Sequence, residues 1–538
     1  MIIDGRLINV SNRLPVSLRK YAGGYRLERS SGGLATALDS AWSRQPGIWI
    51  GWAGNSSGKQ PAVDVLLSRA SRRRPYTLQP VELSEEEVAK FYSGFANEII
   101  WPLFHDMPSR CNFDPEYWET YQKVNRKYGQ TIERTAKSED FIWVHDYHLM
   151  LTAHSMREAG VKSRNGFFLH IPFPTPDVFE KLPWREAILC GLLDFDLVGF
   201  QTERDRNNFI SCVQHLLPQV SIESGSPHIR ARLQNRQATV GIFPISIDFE
   251  EFASQAARTD VAARCTEIRE RLSGNLLVLG VDRMDYTKGI PERLKSFRIL
   301  LRRFPELRGK ITLVQVVVPS REEIPDYKDL RLDVELLVSQ INGEFTQPGW
   351  VPIHYMHRNL SRHELLAYYR AADIALITPL KDGMNLVAKE FCAAQVDDRG
   401  VLVVSEFAGA ASELRHGAIL VNPNDFNEVA QALYTAAGMA PEEKRSRMQL
   451  LRQIVKEHNV QRWTRSFLQA AASTALTSTV SSSGSSSTSE RIAAACPPTE
   501  TPGVALVASA APPPAILSSR LAWGHRFSRS VGIASGDD

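Results

Sequence analysis

The sequence predicts an α/β protein built from two doubly wound parallel sheets. Three observations carry that expectation. Short apolar runs recur along the chain and alternate with helix-length amphipathic segments, the pattern of parallel strands joined by crossover helices. One of them, Leu276–Val281, is an unbroken apolar run, the pattern of a parallel strand covered on both faces. Eight or more of them over about 470 residues exceed one ordinary doubly wound domain.

The elements follow in order. LINVSNRLPV (7–16) is a strand ending in Asn12 and Arg13, with a hairpin expected after it. SSGGLATALDSAW (30–42) then places Gly32 and Gly33 at a helix start. Adjacent glycines let backbone approach a ligand closely, although a plain turn explains them equally well. IWIGWAG (48–54) is the next strand, and SEEEVAKFYSGFANEIIWPLFH (84–105) opens with Ser84 and Glu87 at capping-box spacing. FIWVHD (141–146), GFFLHIP (166–172) and LVGFQT (197–202) continue the first set of strands. In FPISIDFEEF (243–252), Pro244 follows a strand and a helical stretch begins, which sets the division into domains 1–245 and 246–472. The second set is LLVLGVD (276–282), ITLVQVVVP (311–319), DIALITP (373–379) and VLVVSEF (401–407). From 473 to 538 the chain turns rich in Ser, Thr, Ala and Pro, too poor in large apolar groups for a core, and is expected to be disordered.

Composition narrows the function classes. A net charge of +3, with 43% hydrophobic and 23% charged residues, predicts a soluble globular protein without a nucleic-acid or anionic-membrane partner. The six cysteines are scattered and form no CxxC pair, as reduced thiols in a cytoplasmic protein would. No apolar stretch reaches the roughly 18 residues of a membrane span. The amino terminus runs straight into the strand-like LINVSN, so no signal peptide is expected.

Two strand ends carry chemistry. VDRMDYTKGI (281–290) places Arg283, Lys288 and Gly289 just beyond a buried strand. In open α/β sheets ligands bind outside the carboxyl ends of strands, where helix amino termini favour anions. Arg283 and Lys288 suit a phosphate or diphosphate there, Arg as a fork and Lys as a point charge. Surface ion pairs with Asp282 or Asp285 are the competing explanation. KDGMNLVAKEF (381–391) sets Asp382 and Gly383 at another strand end and Glu390 one turn into a helix. Glu390 suits the hydroxyls of a ribose or hexose, while Lys389 and Glu390 together read equally as a solvated helix face.

VSNRLPV, SGGLATAL, GWAG, WPLFH, VHDYHLM, GFFLHIPFP, LVGFQT, VDRMDYTKGI and DGMNLVAKEF occur in this order and closely resemble the trehalose-6-phosphate synthase family. The resemblance spans roughly residues 7 to 470. It implies two facing Rossmann-like domains, the GT-B architecture, and a retaining transfer of glucose from UDP-glucose to glucose 6-phosphate. It further implies a cytoplasmic homo-oligomer without cofactor or metal. By the same resemblance Arg283 and Lys288 hold the donor diphosphate, and Gly32 and Gly33 approach it from the first domain. Asp382 takes a glucose hydroxyl, Glu390 takes the ribose, and Leu386, Val387, Ala388 and Lys389 lie along the donor. Leu360 meets the nucleotide through its backbone. Arg13, Tyr92 and Arg321 read the acceptor phosphate, Asp146 takes an acceptor hydroxyl, and Trp52 and Trp101 wall the sugar pocket. His170 lies where glucose meets acceptor, with a buried structural histidine as the competing explanation, since its strand is otherwise apolar. The resemblance also implies front-face transfer, in which the departing phosphate helps take the proton of the attacking hydroxyl; no carboxylate pair dedicated to double displacement is obvious in the sequence, Asp146 being the nearest candidate. The rivals are a glucosylglycerol-phosphate synthase and a catalytically silent sugar-phosphate sensor.

Overall fold

In the computed structural model the strands gather into two large sheets and one hairpin. The structure describes residues 5–21, 24–29, 38–39, 46–54, 61–225, 227–234, 236–272, 274–321 and 324–480. The first half contributes β1 (Leu7–Arg13), β2 (Val16–Tyr21), β3 (Gly24–Arg29), β4 (Gly47–Trp52), β5 (Tyr76–Pro80) and β6 (Phe141–His145). It continues with β7 (Arg164–Phe168), β8 (Leu197–Phe200), β9 (Ser221–Glu223), β10 (Ile229–Leu233) and β11 (Arg236–Ile242). The second half supplies β12 (Leu276–Arg283), β13 (Ile311–Val318), β14 (Ile353–His357), β15 (Ile374–Ile377), β16 (Val401–Ser405) and β17 (Ile419–Val421). β2 and β3 form the expected antiparallel hairpin.

The first sheet runs β5-β4-β1-β6-β7-β8-β11-β10-β9, and the second β14-β13-β12-β15-β16-β17. The second is parallel throughout. In both, the order reverses beside the first strand, so crossovers leave in opposite directions and open a crevice at the carboxyl ends. Arg13 ends β1 and Asp146 follows β6 at one switch point; Arg283 ends β12 and Asp382 follows β15 at the other. Strand order alone therefore assembles the site.

Buried strands alternate between two packing faces. Ile142 and Val144 of β6 enter one core, while Phe141 and Trp143 enter the other. Each such side chain contributes on the order of 1.5–3 kcal/mol by leaving water. β5 and β14 did not stand out in the sequence, because as sheet edges they interrupt their apolar residues with exposed or half-buried ones. The capping box forms as expected: Glu87 N–H donates to Ser84 Oγ at 3.1 Å, and Ser84 N–H to Glu87 Oε2 at 2.9 Å.

The helices that matter below are α1 (Pro115–Glu133), α2 (Ile290–Arg303), α3 (Pro325–Phe345), α4 (Leu386–Ala394) and α5 (Val460–Val480). α5 departs from the sequence-based division. It crosses back to the first sheet, where Phe467 stacks on Trp143 at 4.2 Å and Trp463 lies 5.2 Å from Phe168. Gly166 and Gly199 make room: a Cβ on either would come within 2.9 Å or 2.8 Å of the Phe467 ring. α5 also continues to Val480, past the boundary at 473, because its alanine-rich sequence contains no glycine or proline to stop it. The rest of the expected tail, 481–538, lies outside the described residues, as do Gly32 and Gly33.

Cys111, Cys212, Cys265 and Cys392 are free thiols. Cys190 is disulfide-bonded and departs from the expectation of reduced cysteines. Among the described residues no helix is long and apolar enough to cross a membrane.

Candidate active site

Asp285 organises the junction between the two sheets. It is fully buried, and its Oδ1 accepts from Thr287 N–H at 3.1 Å, Thr287 Oγ1 at 2.9 Å and Trp101 Nε1 at 3.4 Å. Its Oδ2 faces Arg321 at 3.4 Å and Arg283 at 3.7 Å. Burial works against its charge, but Arg321, Arg283 and Lys288 outweigh that and hold its carboxyl below the ordinary range. The competing reading of a surface pair between Arg283 and Asp285 thus fails on location. Asp282 is engaged elsewhere, with Arg293 of α2.

Lys288 donates to Asp382 Oδ2 at 2.6 Å, and Asn385 Nδ2 donates to the same oxygen at 3.1 Å. One of the three ammonium protons is so used, and the others remain for a ligand. The Arg283 side chain is 46% exposed. At 3.7 Å from the buried Asp285 carboxylate and half-exposed itself, the guanidinium is available to a phosphate. Gly289 adopts φ +62°, and a Cβ there would also meet Thr378 O at 2.4 Å, which is why glycine ends the turn before α2.

The first sheet brings up the opposing wall. The Arg13 guanidinium lies 4.6 Å from the Trp52 ring and 5.3 Å from the Tyr92 ring. Arg321, from the second lobe, lies 4.1 Å from the Trp101 ring and donates to Tyr147 Oη at 3.3 Å. It also donates to Tyr327 of α3. Burial raises the Tyr92 phenol, yet Arg321, Arg13 and Arg283 together hold it below its ordinary value. Three guanidiniums from both lobes therefore act on one tyrosine.

Asp146 sits at φ 75°, a conformation unusual for a residue with a side chain. Burial pushes its carboxyl up to about 7, against the opposing N–H groups of Tyr147 and His170 and the charges of Arg283 and Arg321. His170 N–H donates to its Oδ1 at 3.3 Å. The two lobes touch here: a Cβ on Gly383 would come within 2.2 Å of the His170 carbonyl oxygen. Lys381, two residues earlier, bridges to Asp106 of the first lobe at 2.5 Å.

Other expected donor residues are placed less uniformly. Asn385 caps α4 by accepting from Ala388 N–H at 3.2 Å, so the amides of Leu386 and Val387 remain for a ligand. Glu390 Oε2 accepts from Tyr369 Oη at 2.9 Å, and burial raises its carboxyl. Leu360 packs its side chain into the core. Lys389 departs from the reading of a solvated helix face. It is 1% exposed, and its ammonium donates to Ile245 O at 2.9 Å and Glu413 Oε2 at 2.5 Å. Its partners lie 144 and 24 residues away, so the local charge pattern could not show this.

Sequence reasoning missed Tyr147, Tyr327 and His105. His105 donates Nδ1–H to Trp101 O at 2.7 Å, and burial lowers its imidazole to about 4. Its only sequence signal was its position four residues after Trp101. Among the described residues no group of three or more His, Cys, Asp or Glu side chains is placed to hold a metal ion.

Two doubly wound sheets meeting at a cleft of guanidiniums, carboxylates and indoles define a glycosyltransferase of the GT-B architecture. The model of glycosyltransferase family 20 matches residues 5–473, and the chain belongs to that family. A relative in Mycobacterium leprae, trehalose-6-phosphate synthase, is 43% identical over 477 residues, 87% of this chain and 95% of its own. The crystal structure of an α,α-trehalose-phosphate synthase (UDP-forming) from Burkholderia xenovorans, in complex with glucose 6-phosphate, superposes with TM-score 0.79 at 34% identity, covering 87% of this chain and 100% of that one. An E. coli structure bound with UDP-2-fluoro glucose gives TM-score 0.77 at 35% identity, covering 87% and 99%.

Proposed function

We propose that this chain transfers glucose from UDP-glucose to glucose 6-phosphate with retention, giving α,α-trehalose 6-phosphate and UDP. The observation that carries the proposal is the meeting of Arg13, Arg283 and Arg321 about Tyr92, with guanidiniums supplied by both lobes. Such a cluster suits two phosphate-bearing substrates bound side by side.

In this reading Arg13, Tyr92 and Arg321 grip the acceptor phosphate, with Trp52 and Trp101 against the sugar. Arg283, Lys288 and the free amides of Leu386 and Val387 hold the donor diphosphate at the amino end of α4. Asp382 and Glu390 take the glucose and ribose hydroxyls. The acceptor O1 attacks the donor C1 on the face that the diphosphate leaves. The new O–C bond forms as the C1–O bond to phosphate breaks, and UDP takes the bonding pair. The hydroxyl proton passes to the departing phosphate oxygen. Arg283 and Lys288 offset the negative charge that grows there, the contribution preorganised electrostatics supplies best. Asp146 orients an acceptor hydroxyl, and closure of the lobes excludes water that would hydrolyse the donor.

With cations already in place, the reaction calls on no resident metal or cofactor. We further read the protein as a cytoplasmic homo-oligomer, which light scattering after size exclusion would check. The decisive experiment incubates the purified full chain with UDP-glucose and glucose 6-phosphate. Mass and anomeric proton couplings should identify an α,α-linked disaccharide phosphate. No product with glucose 6-phosphate, but turnover with glycerol 3-phosphate, would overturn the acceptor assignment.

A further inference from the structure

His145 has no role in the reaction described above, yet it touches His170, the histidine expected where glucose meets acceptor. It ends β6, is fully buried, and its Nδ1 lies 3.1 Å from Nε2 of His170. The ring centroids are 5.4 Å apart, with the planes inclined at 35°. Burial lowers the His145 imidazole well below its ordinary value and that of His170 to about 3. Both rings are therefore neutral at physiological pH. Each carries one proton, and one of the two must donate across the contact.

The two possible arrangements differ in what they strand. If His170 donates from Nε2, the proton of His145 must sit on its own Nε2. That atom is buried and meets no hydrogen-bond partner among the described residues. A buried N–H without an acceptor is rare and bears its full desolvation penalty. If His145 instead donates from Nδ1, only a lone pair is left at Nε2. Trp463 of α5, whose ring centroid lies 6.3 Å from that of His145, strengthens the choice. Its Nε1–H also has no partner among the described residues, and an indole nitrogen can only donate. A lone pair in that cluster is favoured over a second stranded N–H.

We propose that His145 is a positioning residue that donates Nδ1–H to Nε2 of His170 and thereby fixes the His170 proton on Nδ1. The inference rests on the reading of His170 as a site residue. With Nε2 occupied, Nδ1 is the nitrogen left for a substrate, and it can donate but not accept. His170 then holds a sugar oxygen through an N–H. It cannot receive the proton of the attacking hydroxyl, which leaves the departing phosphate as the destination. The placement fits this use, since the His170 backbone is pinned by Asp146 on one side and by the close approach of Gly383 on the other.

The test is nitrogen-15 NMR of the full, unliganded chain labelled at histidine, with His170 assigned by comparison with His170→Asn. The expected spectrum shows Nδ1 of His170 protonated and Nε2 as an acceptor nitrogen. A proton on Nε2 overturns the proposal whatever the activity, so its failure is distinct from failure of the glucosyl-transfer reading, which product analysis decides. Two variants extend the test. His145→Phe removes the donor, and should lower kcat about tenfold and abolish the Nδ1–H preference. His145→Asn keeps a donor at the δ position and should restore both. A His145→Phe enzyme with the parent's kcat and an unchanged His170 spectrum would also overturn the assignment.

Discussion

Asp146 combines a positive φ with a carboxyl that burial has pushed up to about 7. Both features cost stability, as residues held for function often do. The sign of the pH effect follows from linkage. Between about pH 4 and 7 the folded protein still holds a proton that the unfolded chain has released, so stability falls as pH rises through that window, by about 1.4 kcal/mol per unit. Asp146→Asn should lack this slope. Urea midpoints for parent and variant at pH 5 and pH 7 should show the parent losing ground at the higher pH, and a constant difference would refute the assignment. Lys288 makes a second prediction at this scale. Lys288→Ala removes a charge placed for the leaving diphosphate and should lower turnover at least about 100-fold. Near-normal single-turnover rates would remove Lys288 from the diphosphate site.

α4 and α5 show where sequence reasoning holds and where it stops. Buried strands such as β6 and β13 were legible because nearly all of their residues are apolar. The charged groups at the strand ends were legible too, Arg283 and Lys288 beyond β12 and Asp382 beyond β15. Lys389 was misread because adjacent charges on a helix usually face water, whereas here the neutralising Glu413 and the Ile245 carbonyl arrive only with the tertiary fold. Lys389→Met leaves Glu413 without its buried cation and should destabilise the protein by about 3–5 kcal/mol. A melting temperature equal to the parent's would show that the pair is not formed in solution. α5 packs on the first sheet although it begins within 246–472, again through contacts distant in sequence. Its Trp463 and Phe467 fill the space over Trp143, so a chain ending at 459 should fail to fold. One ending at 480 should keep full activity, and loss of activity there would give 481–538 a catalytic role.

The two lobes meet through polar contacts at the site: Trp101 with Asp285, Arg321 with Tyr147, and Lys381 with Asp106. Substrate phosphate held by Arg13 from one lobe and Arg321 from the other would add to that set and favour the closed form. Each guanidinium should contribute a charge-assisted contact of about 1.5–3 kcal/mol, or tenfold and more in the acceptor requirement. Donor affinity measured alone should change little in Arg13→Ala, whose side chain faces Trp52 and Tyr92 rather than Lys288. The most direct test is acceptor kinetics of Arg13→Ala and Arg321→Ala with both glucose 6-phosphate and unphosphorylated glucose. The predicted result is a steep rise in KM for the phosphate and a narrowed discrimination between the two sugars; variants that keep the parent's preference for the phosphorylated sugar would place the acceptor site elsewhere and contradict the account.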